Sequence, residues 1–199
     1  MLPSMQGNIP CAVDVETTGR LEGYHEIIQI ACVPLNQHFE PHESMRFFYL
    51  NIAPDHPDRM SKEAERKHKL TPEFLSDCVS QEKGIALFEE WHQNLNLPFR
   101  KRLVPLAHNW AFEKGFLTHW LGLDYLDEVW YIHPRDSFTA AAFINDLFCW
   151  HGRNPPFNKL ALTALTKRFD VQLDNAHDAL ADCLATAKLY AEFLRFLHG

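Results

Sequence analysis

The feature that most constrains this chain is a change of hydrophobic rhythm along it. Residues 9–15 (IPCAVDV), 26–35 (EIIQIACVPL) and 44–52 (SMRFFYLNI) are β-branched or aromatic runs parted by segments carrying Gly19, Gly23, Pro34 and Pro41, which predicts three neighbouring strands. From Ser61 the rhythm turns helical, with short helices at 61–69 and 72–78 and a longer one at 82–95 that places Ile85, Phe88 and Trp91 at spacings of three. Thr71-Pro72-Glu73 reads as a cap followed by proline in the first turn. Strand and helix then alternate: LVPLA at 103–107 leads into a helix at 110–121, EVWYI at 128–132 leads into a helix at 137–149, and helices follow near 158–168 and 178–197. This order predicts an α/β fold. With 199 residues, 46% of them hydrophobic, the chain has the length and core material for one domain over residues 1–199.

Within the first strand, Asp14 and Glu16 stand two positions apart, so their side chains leave the same face about 7 Å from one another while Val13 and Val15 point the other way. Two crowded acids lose hydration and repel, a cost that a bound cation or a shared proton offsets. A strand running out into solvent is the plainer alternative. Position favours a site, because ligands of open α/β sheets lie beyond the carboxyl ends of strands. Further along, His177 and Asp182 are five apart, which on one continuous helix is about 140° of rotation. They face one site only if His177 lies on the preceding loop and Asp178 caps the helix. Between these segments, Asn109 is a candidate N-cap and Glu113 falls in a first helical turn, where an acid complements the helix dipole. Phe112, Phe116 and Trp120 recur at intervals of four and read as core.

A formal charge of −7 argues against a protein that coats nucleic acid by charge alone. It does not exclude a nuclease, since a cation site is built from carboxylates and its ions meet the phosphate. The five cysteines, at 11, 32, 78, 149 and 183, include no CxxC pair, which points to a reducing cytoplasm rather than to a disulfide framework or zinc knuckle. The stretch MLPSMQGNIP lacks the regions of a signal peptide, and no run approaches the ~18 apolar residues of a membrane span. A soluble protein with no membrane partner is expected.

Taken together, Asp14 to Gly19, His108 to Leu117, and His177, Ala179 and Asp182 resemble in order and spacing the three motifs of the DEDDh (DnaQ-like) 3′→5′ exonuclease superfamily, which includes the proofreading subunit of bacterial DNA polymerase III, ribonuclease T and oligoribonuclease. Weaker likeness runs through Ile52-Ala53-Pro54, the segment His68 to Leu75, Asp136-Ser137, and Leu160 to Val171. The resemblance implies a ribonuclease H-like mixed five-stranded sheet flanked by helices. It implies hydrolysis with two divalent cations, Mg2+ or Mn2+, set about 3.5 to 4 Å apart. On that implication Asp14 bridges the ions, Glu16 and Asp182 complete one, Glu113 serves the other, and His177 is the general base. The same resemblance places Thr17 and Thr18 against the terminal nucleotide of a nucleic acid 3′ end, with Leu21 or Tyr24 packing on its base and His108 and Asn109 supporting the site.

One position departs from the pattern: Glu113 stands where the family has aspartate. The extra methylene moves the carboxylate outward, and magnesium tolerates little distortion of its octahedron, so manganese is expected to support activity better. The carboxylates around His177 are expected to raise its pKa and bound dications to oppose that rise. Three questions stay open at this level. The substrate is DNA or, alternatively, single-stranded RNA ends; the chain is an enzyme or a binding module that kept the fold; it acts alone, as a homodimer or with a polymerase.

Overall fold

The computed structural model describes residues 5–198; residues 1–4 and 199, which the expected domain includes, lie outside the described residues. Five strands form one sheet in the order β3-β2-β1-β4-β5: β1 is Ile9–Thr17, β2 Ile27–Pro34, β3 Phe48–Asn51, β4 Leu103–Ala107 and β5 Arg135–Asp136. β1 runs antiparallel to β2, and β2 to β3, whereas β4 lies parallel to both β1 and β5. The direction of pairing therefore changes across β1. Eight α-helices flank the sheet among the described residues: α1 Lys62–His68, α2 Pro72–Ser76, α3 Gln81–Asn94, α4 Trp110–Leu121, α5 Leu123–Val129, α6 Ser137–Trp150, α7 Leu162–Arg168 and α8 Ala179–His198. This is the mixed, helix-flanked five-stranded sheet that the resemblance implies.

The alternation of β1 decides what lies on each face. Cys11, Val13 and Val15 pack with Phe88 and Trp91 of α3 and Phe116 and Leu117 of α4. Ala12 turns the other way, joining Ala31 and Val33 of β2 and Val104 and Leu106 of β4 against Ala179, Cys183, Ala187 and Ala191 of α8. Small residues on both partners bring α8 close to the sheet, and Cys183 Sγ donates to the carbonyl of Ala31 at 3.4 Å. Each large aliphatic or aromatic side chain buried this way stabilises the fold by about 1.5–3 kcal/mol of transfer free energy. A third cluster joins α6, α7 and α8 through Ile144, Leu165, Leu189 and Phe193.

Helix starts follow capping chemistry: Ser61 accepts from the Ala64 amide at 3.1 Å, Thr71 from Phe74 at 3.2 Å, and Asp136 from Thr139 at 2.7 Å. The expected strand at 128–132 is corrected. Its first residues end α5, and only Trp130 keeps a β-type bridge, to Leu103, before β5 forms at Arg135–Asp136. Val129 and Trp130 are buried at the end of a helix, where an apolar aromatic run packs as well as it would in a strand. Asn109 is also corrected as a side-chain cap: it adopts φ 91° with no capping hydrogen bond, and Asp136 Oδ2 accepts from the Trp110 amide instead, at 2.6 Å. No described helix is long and apolar enough to cross a membrane.

Candidate active site

At the carboxyl end of β1 the α8 face of the strand changes from Ala12 to acid, so Asp14 and Glu16 emerge beneath the start of α8. The pairing with β2 shifts register between Glu16 and Thr17, bending the chain out of the sheet. Thr17 Oγ1 donates to the Gly19 carbonyl at 2.5 Å, and the Glu26 amide donates to Thr18 Oγ1 at 3.0 Å, closing the loop that follows. Both threonines are buried. Side chains of the loop pack directly on two glycines: a Cβ at Gly19 would meet His25 Nε2 at 2.3 Å, and one at Gly115 of α4 would displace the exposed Glu22 carboxylate.

His177 takes a left-handed conformation, φ 69°, immediately before α8. Asp178 then caps the helix, its Oδ1 accepting from the Ala181 amide at 3.0 Å, and the Asp182 carboxylate folds back to accept from the His177 amide at 3.3 Å. The turn solves the problem posed by the five-residue spacing. Ligand atoms of Glu16, His177 and Asp182 all lie within 4.8 Å of one another.

A buried hydrogen-bond network holds this turn against the sheet. Gln29, paired with Glu16 across β1 and β2, donates to Tyr49 Oη at 3.0 Å and to Asn51 Oδ1 at 2.7 Å, while its Oε1 accepts from the Ala179 amide at 2.7 Å. Tyr49 in turn donates to Asp178 Oδ2 at 2.6 Å. One amide thereby ties β2 and β3 to the start of α8.

Glu113 reaches the same cleft from α4 and is 3% exposed. Its Oε2, like Asp182 Oδ1, is buried without a hydrogen-bond partner among the described residues. Buried carboxylate oxygens left unpaired are costly, and a divalent cation answers both the geometry and the charge. His108 Nδ1 and Ser137 Oγ lie 2.8 Å apart behind the cleft.

The electrostatics carry the same signature. Burial pushes the Asp14 carboxyl far above the usual range, and Glu16, Asp182, Glu113 and Asp178 add repulsion. Burial, then Asp182 and Asp178, raise Glu16 to about 8, while Lys67 opposes. Burial likewise raises Glu113, with Asp136 and Glu16 adding to it, and lifts Asp182 to about 6 against the favourable His177 amide. The expected rise of His177 is corrected: partial desolvation at the cleft mouth, then Lys67 and Lys69, lower its pKa, which favours the neutral form before any cation is considered.

These side chains line a cleft of about 660 Å³, together with Thr17, Gly19, His108, Asn109, Phe112 and the first turn of α7. Thr18 is buried behind it, and Leu21 and Tyr24, 64% and 50% exposed, lie outside its walls; the Tyr24 ring instead carries the Arg59 guanidinium at 4.8 Å. Sequence reasoning missed His68, which lines the cleft with its Nδ1 accepting from the Leu70 amide and its pKa lowered to about 4 by burial and by His177. It also missed Arg20 and Lys67 on the rim. A larger hollow, about 820 Å³, opens beside Arg100, Lys101 and Arg102 before β4 and gathers no acidic cluster.

Comparison with known proteins gives a family and a shared fold. A family model described as exonuclease matches residues 11–114. The chain is 25% identical over 186 residues to the PolC-type DNA polymerase III of Staphylococcus saprophyticus and 28% identical over 182 residues to that of Listeria welshimeri, covering 94% and 90% of this chain. It spans 11% of the length of either relative. Among solved structures, Exonuclease I of Methylocaldum szegediense superposes with a TM-score of 0.73 at 20% identity, covering 95% of this chain and 40% of that one. E. coli Exonuclease I in complex with a dT13 oligonucleotide gives 0.68 at 17% identity, covering 96% and 43%. The nuclease domain of 3′hExo, a DEDDh family member bound to rAMP, gives 0.65 at 17% identity, covering 95% and 92%. The solved structures share the fold, and with the family model spanning more than half of its residues the chain belongs to the exonuclease family.

Proposed function

We propose that residues 1–199 form one catalytic unit that removes nucleoside monophosphates from the 3′ ends of single-stranded nucleic acid, with DNA as the substrate. The observation that carries this reading is the convergence of Asp14, Glu16, Glu113 and Asp182 with a neutral His177 in one cleft, two of whose buried carboxylate oxygens have no partner. The donor set is oxygen-rich and suits two divalent cations, Mg2+ or Mn2+, held by these four acids. Such ions, when bound, stabilise the charge that develops on the attacking and leaving oxygens of a phosphodiester.

The protein's own groups do the rest. His177, exposed at the cleft mouth and held neutral, takes the proton of the attacking water. The hydrogen bond from its amide to Asp182 fixes where the imidazole starts from. Thr17, His108 and Asn109 shape the cleft beside the acids and position the terminal nucleotide, with Thr18 supporting that wall from behind. Leu21 stands outside the cleft and meets only a longer strand. Support for DNA comes from the relatives, which are DNA polymerases, and from the neighbour bound to dT13; the same relatives support a role beside a polymerase in the cytoplasm. The neighbour bound to rAMP supports RNA ends as the second reading.

Digestion of 5′- and 3′-labelled single-stranded DNA and RNA, with Mg2+ or Mn2+ and with Asp14→Ala as control, tests the proposal. Stepwise shortening of the 5′-labelled DNA strand, lost in the variant, is expected. Faster loss of the RNA strand would move the assignment to RNA, and an intact strand under both metals would leave a binding module.

A further inference from the structure

The cleft just described is lined by acids, and the whole chain carries a formal charge of −7, yet a nucleic acid strand must lie across it. Cations at the acids could neutralise the terminal linkage. The rest of the strand needs positive charge from the protein. Among the described residues lining the cleft, Arg20 and Lys67 are the only lysine or arginine.

Their placement is specific. Arg20 follows Gly19 on the loop after β1, and Lys67 is in the last turn of α1. The Ser61 amide donates to the Thr18 carbonyl at 2.8 Å, which pins the start of α1 to that loop. Arg20 Nη2 lies 2.5 Å from Glu63 Oε1 and Lys67 Nζ lies 3.0 Å from the same oxygen. Two cations therefore share one carboxylate oxygen at the rim. Lys67 is also near enough to the reacting groups to pull down the Glu16 carboxyl and the His177 imidazole.

All three side chains are largely in water, at 72%, 44% and 53% exposure for Arg20, Lys67 and Glu63. An ion pair so exposed is weak and yields readily to a better anion. A phosphodiester is one, because its two non-bridging oxygens give each cation a separate acceptor, and a guanidinium can take phosphate in bidentate fashion. One carboxylate on two cations also leaves a net positive charge to attract it.

We propose that Arg20 and Lys67 are a phosphate clamp for the backbone linkage next to the terminal one, and that Glu63 is its internal stand-in, holding both cations in place until a strand displaces it. The proposal rests on the nuclease reading of the cleft and names residues that no motif of the family supplied. The simpler role for the trio, a brace between the loop and α1, makes an opposite forecast for Glu63.

The test is fluorescence anisotropy with a 5′-fluorescein single-stranded oligothymidylate, its 3′-terminal linkages replaced by phosphorothioates to slow cleavage, in Mn2+ and over a range of KCl. Arg20→Gln and Lys67→Gln are each expected to weaken binding roughly three- to tenfold. Each is also expected to flatten the slope of log Kd against log[KCl] by about 0.7, the value for one phosphate contact on a single strand. Glu63→Gln is expected to tighten binding. If Glu63→Gln weakens binding or leaves it unchanged, or if the two cation variants keep the wild-type salt slope, the clamp is refuted and the brace stands. A wild-type protein that binds the strand but never shortens an unmodified one would overturn the nuclease reading alone, with the clamp judged on the slopes; absence of binding would overturn both.

Discussion

Crowding of carboxylates in the cleft has a thermodynamic cost that can be read without substrate. Glu16 has an ordinary pKa of 4.5 and is pushed up to about 8 in the folded protein. Its sign is that of a raised acid: above pH 4.5 the unfolded chain ionises this group freely while the folded one must keep its proton or pay repulsion, so stability falls with rising pH until the folded pKa is passed. Asp182, raised to about 6, works the same way but is finished below neutrality. The lowered histidines oppose both at acid pH. His68, held at about 4, makes the fold more stable as pH climbs to about 6.5 and is flat beyond. The clean window is therefore pH 7 to 8.5, where Glu16 remains, with Asp14 and Glu113 adding in the same direction. At about 1.4 kcal/mol per pH unit, Glu16 costs roughly 1.5 kcal/mol across that window. For a chain of this size that is a fall in Tm of about 3–6 °C. Differential scanning fluorimetry in EDTA is expected to show at least this fall, Glu16→Gln to make it shallower, and saturating Mn2+ to abolish it by binding the ionised acids. A metal-free Tm that is level from pH 7 to 8.5, or a Glu16→Gln protein that falls as steeply as the wild type, would refute the crowding argument.

His177→Ala is expected to lower single-turnover cleavage by about 10²–10⁴-fold while leaving Tm unmoved, because the side chain is exposed; full turnover at saturating substrate would remove it as the base. Glu113→Asp shortens the one acid that departs from the family pattern and should raise the ratio of activity in Mg2+ to that in Mn2+, read in parallel assays; an unchanged ratio would mean the methylene is accommodated. Gln29→Leu leaves the Ala179 amide without its acceptor and should cost about 1–3 kcal/mol in urea unfolding. It should also weaken Mn2+ binding measured by calorimetry, and an unaltered affinity would show that α8 stays in place without this tie.

Much of the site was legible because it rests on local rules. The two-residue period of a strand put Asp14 and Glu16 on one face, and the requirement that His177 leave the helix to meet Asp182 is satisfied by its positive φ and the Asp178 cap. Where the reading failed, tertiary packing had overruled local preference. EVWYI has strand-forming residues, but Val129 and Trp130 find their burial at the end of α5. The pKa of His177 could not be signed from the acids in its motif, because partial desolvation and two lysines, one in α1 and one just after it, set it. Gln29 is a polar residue in the middle of the apolar run IIQIACVP, a signal that something must satisfy it, yet nothing in the sequence names Tyr49, Asn51 and Ala179 as its partners.

The tie between Gln29 and Ala179 joins residues 150 positions apart. It also places half of the cleft's acids, and its imidazole, on opposite sides of nearly the whole folding problem. During synthesis the sheet can begin to pair while the segment carrying His177 and Asp182 is still inside the ribosome, and loop closure over such a separation comes late. Until α8 docks, the early acids have neither His177 nor the fourth carboxylate. A chain caught part-way, or cut before that helix, thus lacks half of the proposed site, and the activity proposed for it becomes a report that α8 has docked.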